Sequence, residues 1–198
     1  MNHFLRHLLR YDKPIINSSL RAMLVISGFY MFAFGMFSPI YAIFVEKIGG
    51  DITTASNAWA VFYLVAGLLT FAAGRWENRK QNAAWGIICS QLIVALAYIT
   101  YYLADKVQML YLAQVLLGMA AALFWPAFHS IYGKHIDKRN SVWQWSFYDG
   151  MAYLVPAVSA VIGGFLVKIH GFDSIFLVMA LLSLISAVYM LFLPKRLI

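Results

Sequence analysis

Charge and cysteine are both scarce in this sequence. Lysine, arginine, aspartate and glutamate make up 12% of its 198 residues, about half the share found in a typical soluble domain. The single cysteine, Cys89, excludes a disulfide framework and any cysteine-built metal site. The sequence also has no Gly-x-Ser-x-Gly nucleophile elbow, no His-Glu-x-x-His zinc motif and no phosphate-binding loop. We therefore expect neither an enzyme nor a bound metal or cofactor.

Apolar side chains, in contrast, are in excess. Hydrophobic residues account for 63% of the chain and the mean hydropathy is +0.74, which is more than a water-soluble fold of this size can bury. The formal net charge of +7 does not predict nucleic-acid binding, because the basic residues stand between apolar runs rather than on one face. Basic loops of a membrane protein explain that charge better. The expected surrounding is a lipid bilayer.

Six stretches are long and apolar enough to cross the bilayer, which needs about 20 residues of helix. We call them the first to sixth spans, and they cover residues 23–45, 58–74, 84–103, 109–131, 142–167 and 174–193. The connections are too short for a separate soluble domain, so residues 1–198 are expected to form one domain. Within it, residues 1–20 are expected to form an amino-terminal arm, in which residues 3–11 are either a short interfacial helix or flexible basic chain.

The basic residues fall mainly on one side of these spans. Twelve of the 15 lysines and arginines lie in the amino-terminal arm, the second-to-third and fourth-to-fifth loops and the carboxyl end. Lys47, Lys106 and Lys168 are the three on the other side. Because cytoplasmic loops carry the excess of lysine and arginine, both termini are predicted to be cytoplasmic, in a multi-pass protein of the inner or plasma membrane.

Small residues recur a heptad apart inside several spans. Close packing of helices in lipid depends on such residues, because no hydrophobic force draws helices together there. The stripes are Gly28, Gly35 and Ala42 in the first span, Ala60, Gly67 and Gly74 in the second, and Gly150, Ala157 and Gly164 in the fifth, with Gly118 and Ala122 in the fourth. They predict a compact bundle rather than a singly anchored chain.

Several segments resemble one family of membrane proteins. The stretch "PIYAIFVEKIGG" leads into "AVFYLVAGLLTFAAGRWENRKQ", and "QVLLGMAAALFWPAF", "IGGFL" and "HGFDSIFLVMALLSLIS" follow in the later spans. These segments resemble the major facilitator superfamily. The loop between the second and third spans of that family carries a glycine, an acid and a basic pair, which are here Gly74, Glu77, Arg79 and Lys80.

The resemblance implies an all-α membrane fold, a six-helix half bundle built from two inverted three-helix repeats. In this family the first and fourth helices line the solute path, and the second and fifth act as gates. Members typically contain two such halves, whereas this chain contains one. A second copy, related by a two-fold axis along the membrane normal, would rebuild the whole. We therefore expect a half-size secondary transporter that works as a parallel homodimer by alternating access.

Other interpretations remain open at this point. The chain could be an isolated half of a longer, twelve-helix transporter. It could instead be a non-transporting membrane scaffold or a partner-binding subunit, in which case it would have no central cavity. An intramembrane enzyme would need a catalytic pair of side chains at one depth, which the sequence does not offer.

Five residues within the spans are candidates for contact with a solute or coupling ion: Asp149, Gln114, His129, Trp125 and Tyr148. Asp149 lies about 12 Å inside the fifth span at 1.5 Å per residue, a depth at which an acid should face a cavity or a partner. A buried structural hydrogen bond, or a later start of the span, would also explain it. Gln114 stands where many proton-coupled members of the family have arginine. These side chains favour a small, neutral or amphipathic solute.

Glu77 is the candidate gating residue. In the family this acid meets the start of a helix in the opposite half, which here would be the partner's fifth helix. A helix amino terminus favours a nearby carboxylate, so Glu77 is expected to latch the cytoplasmic ends of two copies together, with Arg79 and Lys80 tuning its charge. The alternative is that Glu77 balances its basic neighbours in a solvated loop.

Overall fold

The computed structural model describes residues 16–80 and 83–198. Residues 3–11, for which an interfacial helix and a flexible basic chain were both open, lie outside the described residues. All six predicted spans are present as helices, and the described residues contain no β-strand. The spans are the first, Ser18–Lys47, the second, Ile52–Lys80, the third, Ala83–Tyr102, the fourth, Val107–Lys134, the fifth, Ser141–His170, and the sixth, Phe172–Leu191.

The first span consists of two helices. Ser18–Phe37 is followed by a short 3-10 turn, Ser38–Ile40, and then by Tyr41–Lys47. Pro39 lies in that turn, where its missing N–H and fixed φ interrupt the α-helical hydrogen bonds. The amino end is capped by Asn17, whose side-chain oxygen accepts a hydrogen bond of 2.8 Å from the backbone N–H of Leu20. The break leaves 20 residues of helix before Ser38 and seven after Ile40.

The second span is longer than its hydropathy predicts. Residues 58–74 were expected, whereas the helix runs from Ile52 to Lys80. At its start, the carboxylate of Asp51 accepts hydrogen bonds from the backbone N–H and the hydroxyl of Thr54, at 2.7 and 2.6 Å. This amino-terminal capping lets polar residues begin the helix before the apolar run. At the other end Glu77 and Arg79 are therefore helical rather than in a loop.

The spans pack in a pattern that relates the two halves of the chain. The second span packs against the fourth, and the fifth packs in the corresponding way against the first. The third packs against the fourth, the sixth against the first, and the third and sixth against each other. The second helix of each half thus packs against the first helix of the other half, as in two intertwined three-helix repeats. In the most apolar stretch of the second and fifth spans only 11% of residues are buried, against 44–56% in the other four.

Three glycines lie where helices touch. A Cβ on Gly163 would collide with backbone atoms of Met36, one on Gly35 with the backbone of Pro156, and one on Gly118 with the carbonyl oxygen of Phe62 at 2.8 Å. These contacts bring the fifth span onto the first and the fourth onto the second, as close packing in lipid requires.

The other predicted small residues include several that do not pack within the chain. A Cβ on Gly67, Gly74, Gly150 or Gly164 would meet nothing within 4 Å. The stripe predicted for the fifth span, Gly150, Ala157 and Gly164, is thus wrong as the intrachain packing face. The heptad spacing is present, but Ser159 and Gly163 are the buried small residues of this helix.

Gly171 is the only residue between the fifth and sixth helices. Its φ of 78° lies in the region that glycine enters without a steric penalty. The backbone N–H of Gly171 donates a hydrogen bond of 2.9 Å to the carbonyl of Val167 and closes the fifth helix. The chain therefore reverses direction within one residue.

Candidate binding cavity

A cavity of about 540 Å³ lies between the second and fifth spans. The first span contributes the largest share of its walls, with Tyr30, Phe34 and Ser38 among the lining residues. Spans two and five supply the sides, and the fourth span supplies one residue, Trp125. Pro39 also lines the cavity, so the break in the first span lies at its wall.

Aromatic rings pack against one another around this cavity. Tyr30 stacks on Phe124 with ring centroids 4.7 Å apart and meets the edge of Trp125 at 5.7 Å. Phe34 meets Trp59 edge-on at 6.1 Å. Such pairs add to the stabilisation that burial alone gives, so the rings hold each other in place. The wall is therefore built in advance of any ligand.

Gln114 lies in a small recess next to this cavity, and both are lined by Tyr30, Phe34, Ser38, Trp59 and Phe62. Its side-chain amide nitrogen donates a hydrogen bond of 2.9 Å to the hydroxyl of Tyr41, and both side chains are buried. The structure thus gives this residue a partner on the first span.

Trp125 and Tyr148 lie in the cavity wall, and His129 lies next to Trp125 outside that wall. Tyr148 is buried and lines the cavity, as Trp125 does. His129 is exposed and stacks on Trp125 with ring centroids 5.7 Å apart, and its ring centroid lies 6.2 Å from that of Trp145. Tyr132, one turn further along the fourth span, donates a hydrogen bond of 2.6 Å to the backbone carbonyl of Gln144 and ties the fourth span to the fifth.

Asp149 is exposed on the fifth span. Residues three and seven positions later share a helix face with it, and these are Ala152 and Pro156, which line the cavity. The carboxylate therefore lies about one turn from the lined region, on the same face. The helix begins at Ser141, eight residues before the acid.

Glu77 is buried rather than solvated. Its side chain is 6% exposed, and its carboxylate lies against Gly86, where a Cβ would collide with the Oε1 atom. The alternative of a solvated loop acid is therefore wrong, because the helix continues through Glu77 and turns it onto the third span. Among the described residues, Oε1 has no hydrogen-bond partner. The latch between two copies remains a prediction.

A second cavity, of about 670 Å³, surrounds Glu77. Gly74 lines it, together with Lys134 and Lys195. Arg79 is exposed nearby on the same helix, whereas the side chain of Lys80 lies outside the described part of the structure. The glycine and the acid of the motif thus share one cavity.

The basic segments of the chain meet at this end of the bundle. The side chain of Asn17 donates a hydrogen bond of 2.9 Å to the carbonyl of His135, and Lys134 donates one of 3.3 Å to the carbonyl of Ile198. The segments before the first span, after the fourth and after the sixth therefore lie together, as the distribution of lysine and arginine predicts.

Most of the aromatic wall was not among the residues selected from the sequence. Tyr30, Phe34, Trp59 and Phe62 line the cavity but lie inside uniformly apolar runs, where aromatic side chains carry no distinguishing pattern. Their positions one helical turn apart, at residues 30 and 34 and at 59 and 62, are the signal that could have indicated a shared face.

The chain has clear similarities to known proteins. A family model described as Major Facilitator Superfamily matches residues 23–197. No curated protein matches the chain. Among solved structures, the in meso crystal structure of the POT family transporter PepTSo is similar with a TM-score of 0.68 at 15% sequence identity, covering 87% of this chain and 36% of that one. The chain thus spans about a third of the length of that transporter, and the likeness concerns the fold.

Proposed function

Because the chain belongs to the major facilitator superfamily, we propose that it is a half-size secondary transporter. It works as a parallel homodimer by alternating access on a small, neutral or amphipathic solute. The family membership confirms the resemblance found in the sequence, and the six apolar helices make the chain a multi-pass membrane protein. The fold is that of a transporter, a class whose members are generally not enzymes.

The observation that carries this proposal is the cavity of about 540 Å³, which has the size of a small-molecule site. It is lined by the first, second, fourth and fifth spans, the helices that the family uses for the solute path and its gates. A membrane scaffold would have no need of a preformed central cavity. The cavity therefore favours transport over the scaffold alternative.

The open faces of the second and fifth spans support the homodimer. Tyr63, Leu68 and Phe71 on the second span, and Tyr153 and Val161 on the fifth, are each at least 65% exposed. Gly67 and Gly164 add small residues to these two helices without an intrachain contact. A two-fold axis along the membrane normal would place the second span of one copy against the fifth of the other, closing the cavity on both sides.

Cross-linking tests the dimer. In a Cys89→Ala background, Gly74→Cys at the inner end of the second span and Val142→Cys at the start of the fifth should join two copies in membranes. Leu96→Cys on the exposed face of the third span is the control and should give no cross-linked dimer. A monomer at every lipid-to-protein ratio, measured also as mass in nanodiscs, would exclude the homodimer and leave a longer transporter as the alternative.

We place both termini in the cytoplasm of a cell whose inner or plasma membrane holds the protein. Impermeant labels at Asp51, Asp105 and His170 should then react from outside, and labels at Arg79, Lys138 and Lys195 only after the membrane is opened. The physical reason is the excess of lysine and arginine at one end of the bundle. Labelling from the opposite side at any one of these positions contradicts the orientation.

A further inference from the structure

The aromatic cavity has a composition that selects one class of solute. Half of its fourteen lining residues are aromatic, and none is lysine, arginine, aspartate or glutamate. The rings are those of Tyr30, Phe34, Trp59, Phe62, Tyr63, Trp125 and Tyr148. The face of an aromatic ring is electronegative and attracts a cation within about 6 Å, most strongly for tryptophan. A wall of this kind therefore attracts positive charge and apolar surface together.

The wall offers little to an anion. An anion needs convergent N–H donors or a basic side chain, and the lining contributes no lysine, arginine or histidine. The Gln114 amide nitrogen in the neighbouring recess already donates to Tyr41. A negatively charged solute would meet only the neutral hydroxyl and indole N–H donors of the wall and no positive charge to balance its own.

A counter-charge is available at the edge of the cavity. Asp149 is the only charged residue between Ser141 and Val167 in the fifth span, and it is exposed on the face that carries Ala152 and Pro156. A carboxylate at membrane depth is expected to face a cavity and a positive partner. A cation in the aromatic cavity would provide that partner, because the two sites are about one helical turn apart.

We infer that the solute is a small organic cation with an apolar or aromatic body, an assignment that rests on the proposed transport function and narrows its solute to the amphipathic class. Its charged group lies among the rings of Tyr30, Trp59 and Trp125, and its charge is balanced by Asp149 at the inner edge. Its apolar body fills the remainder of the volume between the second and fifth spans. Quaternary and tertiary amines with one aryl or alkyl group have the required chemistry.

Three small aromatic probes test this inference: a cation, its uncharged isostere and an anion. The probes are (3-hydroxyphenyl)trimethylammonium, its uncharged carbon isostere 3-tert-butylphenol, and the anion 3-hydroxybenzenesulfonate. Binding to the purified full chain in nanodiscs is measured by calorimetry at equal free aqueous concentrations. We expect the cation to bind at least about tenfold more tightly than the isostere and the sulfonate not to bind. Equal affinity for the cation and the isostere, or tighter binding of the sulfonate, overturns the inference.

Variants locate the binding site. Trp125→Leu should weaken cation binding by about two- to thirtyfold, because it removes one ring from the wall, and should change isostere binding less. Asp149→Asn should weaken the cation alone. Trp143→Leu is the matched control, since Trp143 is 57% exposed and does not line the cavity. If the Trp143 variant loses as much affinity as the Trp125 variant, the cation binds elsewhere.

Flux through proteoliposomes separates this inference from the proposed function. Uptake of the cation supports both. Selective binding of the cation without uptake of any probe supports the inference and contradicts transport. Uptake of the isostere or the sulfonate in place of the cation supports transport and contradicts the cation assignment. No binding and no uptake contradicts both.

Discussion

Two faces of the fifth span differ in how closely they pack, although adjacent glycines lie on them. Gly163 lies against the backbone of Met36, so the first and fifth spans touch with no side chain between them. Gly164 has nothing within 4 Å of the position of a Cβ. The second span is divided in the same way, because Val65 packs beneath Gly118 whereas Gly67 is open. A small residue in a membrane helix thus indicates a contact only when it lies on the face that packs against another span.

Substitution of the two adjacent glycines is the most direct test of this difference in packing. Gly163→Ala should lower the free energy of unfolding by about 1–3 kcal/mol, because the added methyl group forces two backbones apart. Gly164→Ala should be neutral or stabilising by up to about 1 kcal/mol, since alanine favours helix and meets open space. Unfolding of the monomer in mixed micelles, followed by far-UV circular dichroism, measures both values.

Gly118→Ala serves as a second test of the packed face, because its Cβ would meet the carbonyl oxygen of Phe62 and the side chain of Val65. Gly118→Ala should lower the free energy of unfolding about as much as Gly163→Ala does. Equal stability of the Gly163 and Gly164 variants would mean that the two faces do not differ in packing, and the comparison would fail.

A smaller effect is expected from the hydrogen bond between Gln114 and Tyr41, which belongs to the packed region. Gln114→Leu should lower the free energy of unfolding by about 0.5–1.5 kcal/mol, because the tyrosine hydroxyl loses a buried donor. Tyr41→Phe and the double variant complete a thermodynamic cycle measured by the same unfolding assay. If the two single effects add without any coupling, the hydrogen bond does not stabilise the fold.

The smallest effect should come from the exposed start of the second span. Hydrogen bonds from Thr54 hold the pKa of Asp51 below its usual value. A carboxyl with a lowered pKa in the folded state stabilises the protein above the unfolded-state pKa, and this contribution is lost as the pH falls through the folded-state value. Asp51→Ala should therefore lower the thermal midpoint slightly at neutral pH and not in strong acid. A difference that persists unchanged in acid would contradict the capping role.

Hydropathy predicted the six spans because each apolar run is continuous for about 20 residues. It could not predict where the second span ends, because the polar residues from Arg75 to Lys80 continue the helix beyond the apolar run. Helix termini depend on hydrogen bonds such as those from Thr54 to Asp51, which leave little trace in a hydropathy average. The same averaging concealed the short connection at Gly171.

The cavity was predictable only in part. Gln114 and Asp149 were detectable because polar residues are rare within a span. Tyr148 was selected as a candidate, and the structure shows it buried at the cavity wall. Tyr30 and Trp59 come from different helices, and only the packing of the second and first spans around the cavity brings them to one wall. Such a juxtaposition depends on tertiary contacts, which periodicity alone does not contain.

The reversal at Gly171 has a mechanical consequence. A joint of one residue, held at a positive φ and closed by a hydrogen bond to Val167, leaves two long rods little freedom to pivot separately. A tilt of the fifth helix would therefore tilt the sixth helix as well. Since the sixth packs on the third, a displacement that begins at the open face of the fifth helix would reach the third span through one backbone joint and one helix contact.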